Sequence, residues 1–170
     1  MRKYLLLAVC SLLIASVGTT AETTKESVKP KGEKMSTPSV SLGYVVLYVK
    51  DVAATLAFYE EAFGLSRRFF NDDNGKAYGE LETGATRLAF YSFELVKAAF
   101  KPEVVAAVPD KAPLGSEIGL VTPDVPAWFA RALKAGATAV SEPAAKPWGQ
   151  TVAYVRDKDG HLVGLGTPLP

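Results

Sequence analysis

Two stretches of the chain share one alternation of apolar and polar positions. In "LYVKDVAATLAFYEEAFGL" (47–65) an apolar strand end runs into Asp51, and Val52, Leu56, Tyr59 and Phe63 then recur at helical spacing. Asp51 is placed to cap the helix by accepting from free backbone N–H groups, and Gly64 to end it in the left-handed conformation. "LVTPDVPAWFARALKAGA" (120–137) repeats the plan, with Asp124 as the cap and Pro126 in the first turn. Trp128 or Phe129, Ala132 and Leu133 form its apolar stripe, and Gly136 is the stop. The offset is 73 both for Leu47 to Leu120 (120 − 47) and for Asp51 to Asp124 (124 − 51).

Each helix is followed by three short alternating segments, at about 66–72, 76–82 and 85–93 in the first half and about 138–142, 150–157 and 161–167 in the second. Turn signals separate them, at Asn71-Asp72-Asp73-Asn74-Gly75, Glu82-Thr83-Gly84 and Asp157-Lys158-Asp159-Gly160. The order is therefore βαβββ (about 42–93), a connector (94–114) and βαβββ again (about 115–168). Neither unit is large enough to be stable alone, so the two are expected to share a core within one domain, 39–170.

The N-terminal region breaks the pattern. Arg2 and Lys3 precede a nearly continuous apolar run from Tyr4 to Val17, and Thr19-Thr20-Ala21 offers small residues for cleavage. This is the layout of a secretory signal at 1–21, shorter than the roughly 20 apolar residues a membrane span needs. Residues 22–38 are polar and aperiodic and read as a disordered linker. The expected location is periplasmic or secreted; a start at Met35 would instead leave the domain in the cytoplasm.

Charge and composition narrow the chemistry. With a net charge of +1 and no basic block interleaved with aromatics, a nucleic-acid partner is not expected. One cysteine, Cys10, excludes an internal disulfide framework. One histidine, His161, follows the Asp159-Gly160 turn and is expected to face solvent; it leaves little for transition-metal ligation.

The doubled βαβββ order, with "YVVLYVKDVAATLAFYEEAFGL" opening and "PWGQTVAYVRDKDGHLVGLGTP" closing it, resembles the vicinal oxygen chelate (VOC) superfamily of glyoxalase, bleomycin-resistance and extradiol dioxygenase proteins. The resemblance spans nearly all of 42–168 and implies an α+β fold of two βαβββ modules, with curved mixed sheets around a cup. In metal-dependent members the ligands come from the first and last strand of each module, usually as His or Glu. The matching positions here are Tyr44, Ala89, Glu117 and Gly164. Only Glu117 is an ordinary ligand, so no metal is expected; Gly164 reads as a surrendered ligand position.

Strand parity then places Tyr44, Val46, Tyr48, Arg87, Tyr91, Glu117, Gly119 and Val121 on the cup side, with Val45, Leu47, Val49, Leu88 and Phe90 on the helices. The candidate ligand-binding residues are Tyr44, Tyr48, Arg87, Tyr91 and Glu117, with Trp148 of "KPWGQ" as either a lid aromatic or ordinary packing. Arg87 and Glu117 either pair with each other or orient a polar ligand between tyrosine rings. Glu117 is also the one weak candidate for a general base. Arg67, Arg68, Glu80 and Glu82 read as a solvated sheet face.

The expected function is small-molecule binding and sequestration of the bleomycin-resistance kind, without cofactor. The alternative is a glyoxalase-type, lactoylglutathione lyase-like enzyme, which would require a divalent metal. A scaffold with a vestigial cup is a third reading. In the superfamily cups form within one chain or across a homodimer, so a homodimer is a possible partner state.

Overall fold

The computed structural model describes residues 40–99 and 103–170. The signal segment, the linker and Met35 lie outside the described residues. Within them the chain runs β1 (Tyr44–Val49), α1 (Val52–Phe63), β2 (Arg67–Asp73), β3 (Lys76–Leu81), β4 (Arg87–Ser92), α2 (Phe93–Ala99), β5 (Glu117–Val121), α3 (Val125–Lys134), β6 (Thr138–Ala145), β7 (Thr151–Arg156) and β8 (Leu162–Gly166). No helix among the described residues is long and apolar enough to cross a membrane.

The strands form two four-stranded mixed sheets with the same wiring, β1-β4-β3-β2 and β5-β8-β7-β6. Each module is an α+β unit whose first strand lies parallel to its last, joined only on that side. The sheets stay separate, so β1 and β5 each keep one edge without a strand partner among the described residues. The expected two-module fold is therefore present, but the sheets do not close on each other.

Local chemistry accounts for the elements. Asp51 accepts from Ala54 N at 3.0 Å and Asp124 from Ala127 N at 3.1 Å, relieving an unsatisfied donor at each helix start. Gly64 ends α1 at φ 65°, a left-handed conformation that costs a Cβ-bearing residue more. The β2–β3 hairpin turns through Asn74 (φ 52°) and Gly75 (φ 85°), the pair such a tight turn requires. Pro143, which has no N–H to donate, sits in the edge strand β6 where the register with β7 shifts. α2 is an addition to the expected order: the segment read as the start of the connector begins with a short helix, held by Leu95 N donating to Ser92 Oγ at 3.1 Å.

The core lies between the helices and the helix-facing sides of the sheets. Val49, Phe90, Val155, Val163 and Leu165 are buried, as strand parity requires, and pack with Leu56, Tyr59, Val125 and Ala132 of the helices. Phe129 fills the buried stripe of α3, while Trp128 and Leu133 are only half-buried. Arg131 of α3 donates to the Glu61 carbonyl at 2.5 Å, satisfying one of the free carbonyls at the end of α1.

A buried polar latch also joins the modules. Tyr59 of α1 donates to Asp157 Oδ2 at 2.9 Å. Asp157 Oδ1 accepts from His161 N at 2.7 Å and Asp159 N at 3.0 Å. Asp159 in turn accepts from Thr55 Oγ1 at 2.6 Å. His161 is buried, against expectation, with Nε2 3.3 Å from the Tyr48 carbonyl oxygen. The β7–β8 turn folds against α1 and β1, and that contact removes the ring from water. Burial pushes the Asp157 carboxyl above the usual carboxylate range, and burial with the neighbouring Asp157 charge pushes the Tyr59 phenol well up.

A second clamp holds the connector. The buried guanidinium of Arg156 donates to the carbonyls of Gly160 (2.6 Å), Lys111 (2.7 Å) and Val108 (2.8 Å). Gly160 makes this approach possible: a Cβ there would sit 2.4 Å from the Val108 carbonyl carbon.

Candidate functional site

On the first sheet, the face turned away from α1 carries a row of rings that crosses all four strands. Tyr48 of β1 stacks on Tyr91 of β4, with centroids 6.2 Å apart and planes at 26°. Tyr91 meets Tyr78 of β3 edge-on at 5.1 Å, and Tyr78 meets Phe69 of β2 at 5.9 Å. The pairing register explains the row, since Tyr48, Tyr91 and Tyr78 are direct cross-strand partners.

Beside the rings lies an ionic group built on Glu80, whose side chain is only 15% exposed. Arg68 Nε lies 3.2 Å from it and Arg87 Nε 3.6 Å, and Tyr78 donates its hydroxyl to the same carboxylate. Arg68 also bonds Glu82 at 2.9 Å, which holds the Glu82 carboxyl below its ordinary range. Burial, followed by the bond to Glu80, pushes the Tyr78 phenol up. Arg68, Phe69, Tyr78, Glu80 and Arg87 together line a space of about 580 Å³. Glu80 is thus part of the candidate site rather than a solvated face, and Arg68, though exposed as expected, borders the same space. Running β3 by parity alongside β1 and β4 puts Tyr78 and Glu80 on the ring-bearing face; that signal was available in the sequence.

The second sheet offers a different surface. Its corresponding face carries Gly119, Gly164 and Gly166, with Gly119 paired to Gly164 as Val46 is to Ala89 in the first sheet. The room at Gly164 is already taken: a Cβ there would meet Glu117 Oε1 and Tyr154 Cε1, both at 3.2 Å. Glu117 lies across the glycine against the tyrosine ring. No ion pair or side-chain hydrogen bond engages its carboxylate among the described residues.

Between the two sheets runs a cleft of about 440 Å³. Val45, Leu65 and Leu88 line one side with Thr83, Thr86 and Arg87; all five residues of β5, Glu117 to Val121, line the other. A neighbouring apolar cavity of about 430 Å³ shares Leu65, Leu120 and Val121 and reaches Phe63 and Trp128.

The sequence-derived candidates therefore divide. Tyr48 and Tyr91 stand together in the ring row, and Arg87 and Glu117 face the same cleft but do not pair, because Arg87 is drawn to Glu80. Tyr44 starts β1 exposed, outside the cavity linings described here, although its register partner is Arg87. Trp148 is exposed in the β6–β7 turn and donates to Gln150 Oε1 at 2.9 Å, likewise apart from the cavities.

The four positions of the family's metal site hold a phenol, a methyl group, one carboxylate and a hydrogen atom, at Tyr44, Ala89, Glu117 and Gly164. Ala89 is fully buried and Gly164 is overlaid by its neighbours. Zinc ordinarily takes three or more protein ligands, so these residues do not fit a divalent ion. Among the described residues no three His, Cys, Asp or Glu side chains gather where they could hold one.

Two βαβββ modules, each with a parallel first and last strand, define the class. The chain belongs to the Glyoxalase/Bleomycin resistance protein/Dioxygenase superfamily, whose family model matches residues 41–165. No curated protein matches the sequence. Among solved structures, the fold is similar to a glyoxalase-related enzyme from Fulvimarina pelagi (TM-score 0.65, 21% identity, covering 75% of this chain and 88% of that one). It is similar to TioX from Micromonospora sp. ML1 (TM-score 0.57, 24% identity, 76% and 100% covered). It also resembles TnmS3, an antibiotic binding protein from Streptomyces sp. CB03234 (TM-score 0.56, 22% identity, 78% and 99% covered).

Proposed function

We propose that this is an exported, metal-free protein that binds and sequesters a small molecule, holding it against the ring-bearing face of the first sheet and the adjoining cleft. One observation carries the reading: Tyr48, Tyr91, Tyr78 and Phe69 form a continuous aromatic row that ends at Arg68, Glu80 and Arg87. Rings laid side by side offer stacking to a planar ligand, at about 0.5–1.5 kcal/mol per aromatic pair, and the charged group fixes its orientation. That the fold hosts an antibiotic binding protein in TnmS3 supports the ligand class. The poor donor set at Tyr44, Ala89, Glu117 and Gly164 supports binding over lyase chemistry.

The active form is a homodimer in this proposal. Val40, Leu42 and Tyr44 are large, apolar and exposed, and β1 has a free edge that a second copy can cover while the β5 edge stays open to the cleft. Sedimentation of wild type against Leu42→Arg tests this, with a shift to monomer expected in the variant.

The ligand experiment is a thermal-shift screen of aromatic metabolites and antibiotics, followed by titration of each hit against wild type and Tyr91→Ala. Loss of Tyr91 should weaken binding by about tenfold or more, equivalent to about 1.4 kcal/mol. Unchanged affinity for every hit would remove the ring row from the role. Near-stoichiometric zinc, nickel or manganese in protein isolated without chelator, lost on Glu117→Ala, would favour the lyase-type enzyme instead.

A further inference from the structure

Arg87 and Glu117 carry opposite charges on opposite walls of one cleft and do not bond to each other. The only ionic partner of Arg87 among the described residues is Glu80, at a loose 3.6 Å. Glu117 has none there. Between the charges lies apolar surface from Val45, Leu65, Leu88 and Ile118. The β5 wall adds a third element. β5 is hydrogen-bonded on one side only, to β8, and every one of its residues borders the cleft. Its other edge offers backbone N–H and C=O groups that an extended amide can pair with.

Taken together, these features match a small class of molecule. An ammonium group answers Glu117, a carboxylate answers Arg87, and a peptide unit answers the β5 edge. Apolar side chains answer the floor. A cleft of about 440 Å³ lies within the usual range of roughly 300–1,000 Å³ for small-molecule sites. We infer that the cleft between the sheets binds short zwitterionic peptides with apolar side chains, the ammonium against Glu117 and the carboxylate against Arg87. This names the ligand class and so rests on the small-molecule-binding reading above.

The test is calorimetric titration of the full chain at about pH 6.5, where both peptide termini are charged. The probes are leucyl-phenylalanine, its N-acetyl derivative and its C-terminal amide. The free dipeptide should bind, and capping either end should weaken binding by about tenfold or more. Glu117→Gln should weaken the free dipeptide and the amide but not the N-acetyl form. Arg87→Gln should weaken the free dipeptide and the N-acetyl form but not the amide, and Arg87→Lys, which keeps the charge, should restore most of the loss.

Capped peptides that bind as well as the free one, or variants that affect all three probes alike, would overturn the inference. No peptide binding, alongside a Tyr91-dependent aromatic hit, would sink the inference and leave the function standing. Failure of both screens would sink both.

Discussion

The two modules share wiring, register and capping, yet their working faces are nearly opposite in character. Module 1 presents four rings and a half-buried carboxylate between two arginines. Module 2 presents glycines at 119, 164 and 166, the Tyr154 ring and Glu117, which has no ionic partner among the described residues. Their helices differ in the same sense. α1 buries seven residues, among them Phe58, Tyr59 and Phe63, whereas α3 buries only Val125, Phe129 and Ala132. The 73-residue offset places Ala132 where α1 has Tyr59. A duplicated backbone constrains where side chains point but not what they are. One copy here supplies bulk and order, and the other supplies small residues over which a carboxylate and a single ring are laid.

The most severe way to break that asymmetry is to give α1 the residue of α3. Tyr59→Ala should destabilise the domain by about 3–5 kcal/mol, as for other buried aromatics, because it empties the ring cluster and strips Asp157 of a donor. Tyr59→Phe separates the two effects; losing only the hydroxyl should cost about 1–3 kcal/mol. Chemical denaturation measures both, and a Phe variant as damaged as the Ala variant would show that the latch, not the packing, dominates.

Gly79→Ala comes next. Its Cβ would lie 2.6 Å from Leu56 Cδ1 and 2.9 Å from Val52 Cγ1, so those side chains must repack or α1 must move away from the sheet. The expected loss is about 1–3 kcal/mol, in the range of overpacked cores. The corresponding site in module 2 is already Ala153, so Ala153→Gly should cost only about 0.5–1 kcal/mol. Equal losses at the two sites would mean that the helices sit equally close to their sheets.

The pH response is smaller and isolates the latch. Because the folded-state pKa of Asp157 is raised, its contribution is fully present below the unfolded value near 3.8 and is lost as pH rises through the folded value. The stability of wild type relative to Asp157→Asn should therefore fall as pH climbs from acid towards neutrality. A difference that stays flat, or grows, with pH would contradict the burial of that charge.

Gly164→Ala should do least to stability, within about 1 kcal/mol, since the strand gain of Ala over Gly offsets two contacts at 3.2 Å, relieved by a swing of Glu117 and a small tilt of the Tyr154 ring. Its effect should appear in ligand affinity instead, because the carboxylate is displaced. Unchanged affinity in every titration would place Glu117 outside the binding surface.

Much of the architecture was legible in the sequence because it is local. Asp51, Gly64 and Asp124 act within one helical turn of themselves, and the alternation of Val163, Gly164 and Leu165 assigns faces without knowledge of the partner strand. The site was legible only in part, because charge pairing across a sheet depends on which strands become neighbours. Arg87 found Glu80, the cross-strand partner of Ala89 two residues further along β4, once β3 lay beside β4. His161 was misplaced for a similar reason: a turn looks exposed until another module folds over it. Nothing periodic announced α2, a helix of seven residues with a single buried side chain, Val96.

The Arg156 clamp has a practical consequence for anyone wishing to recombine these halves. Because its guanidinium grips the carbonyls of Val108 and Lys111, that part of the inter-module segment travels with the C-terminal half. A chimera that grafts a foreign N-terminal half should therefore be spliced upstream of Val108. A junction placed at Glu117, where the strand itself begins, would leave a buried cation facing a stranger's backbone.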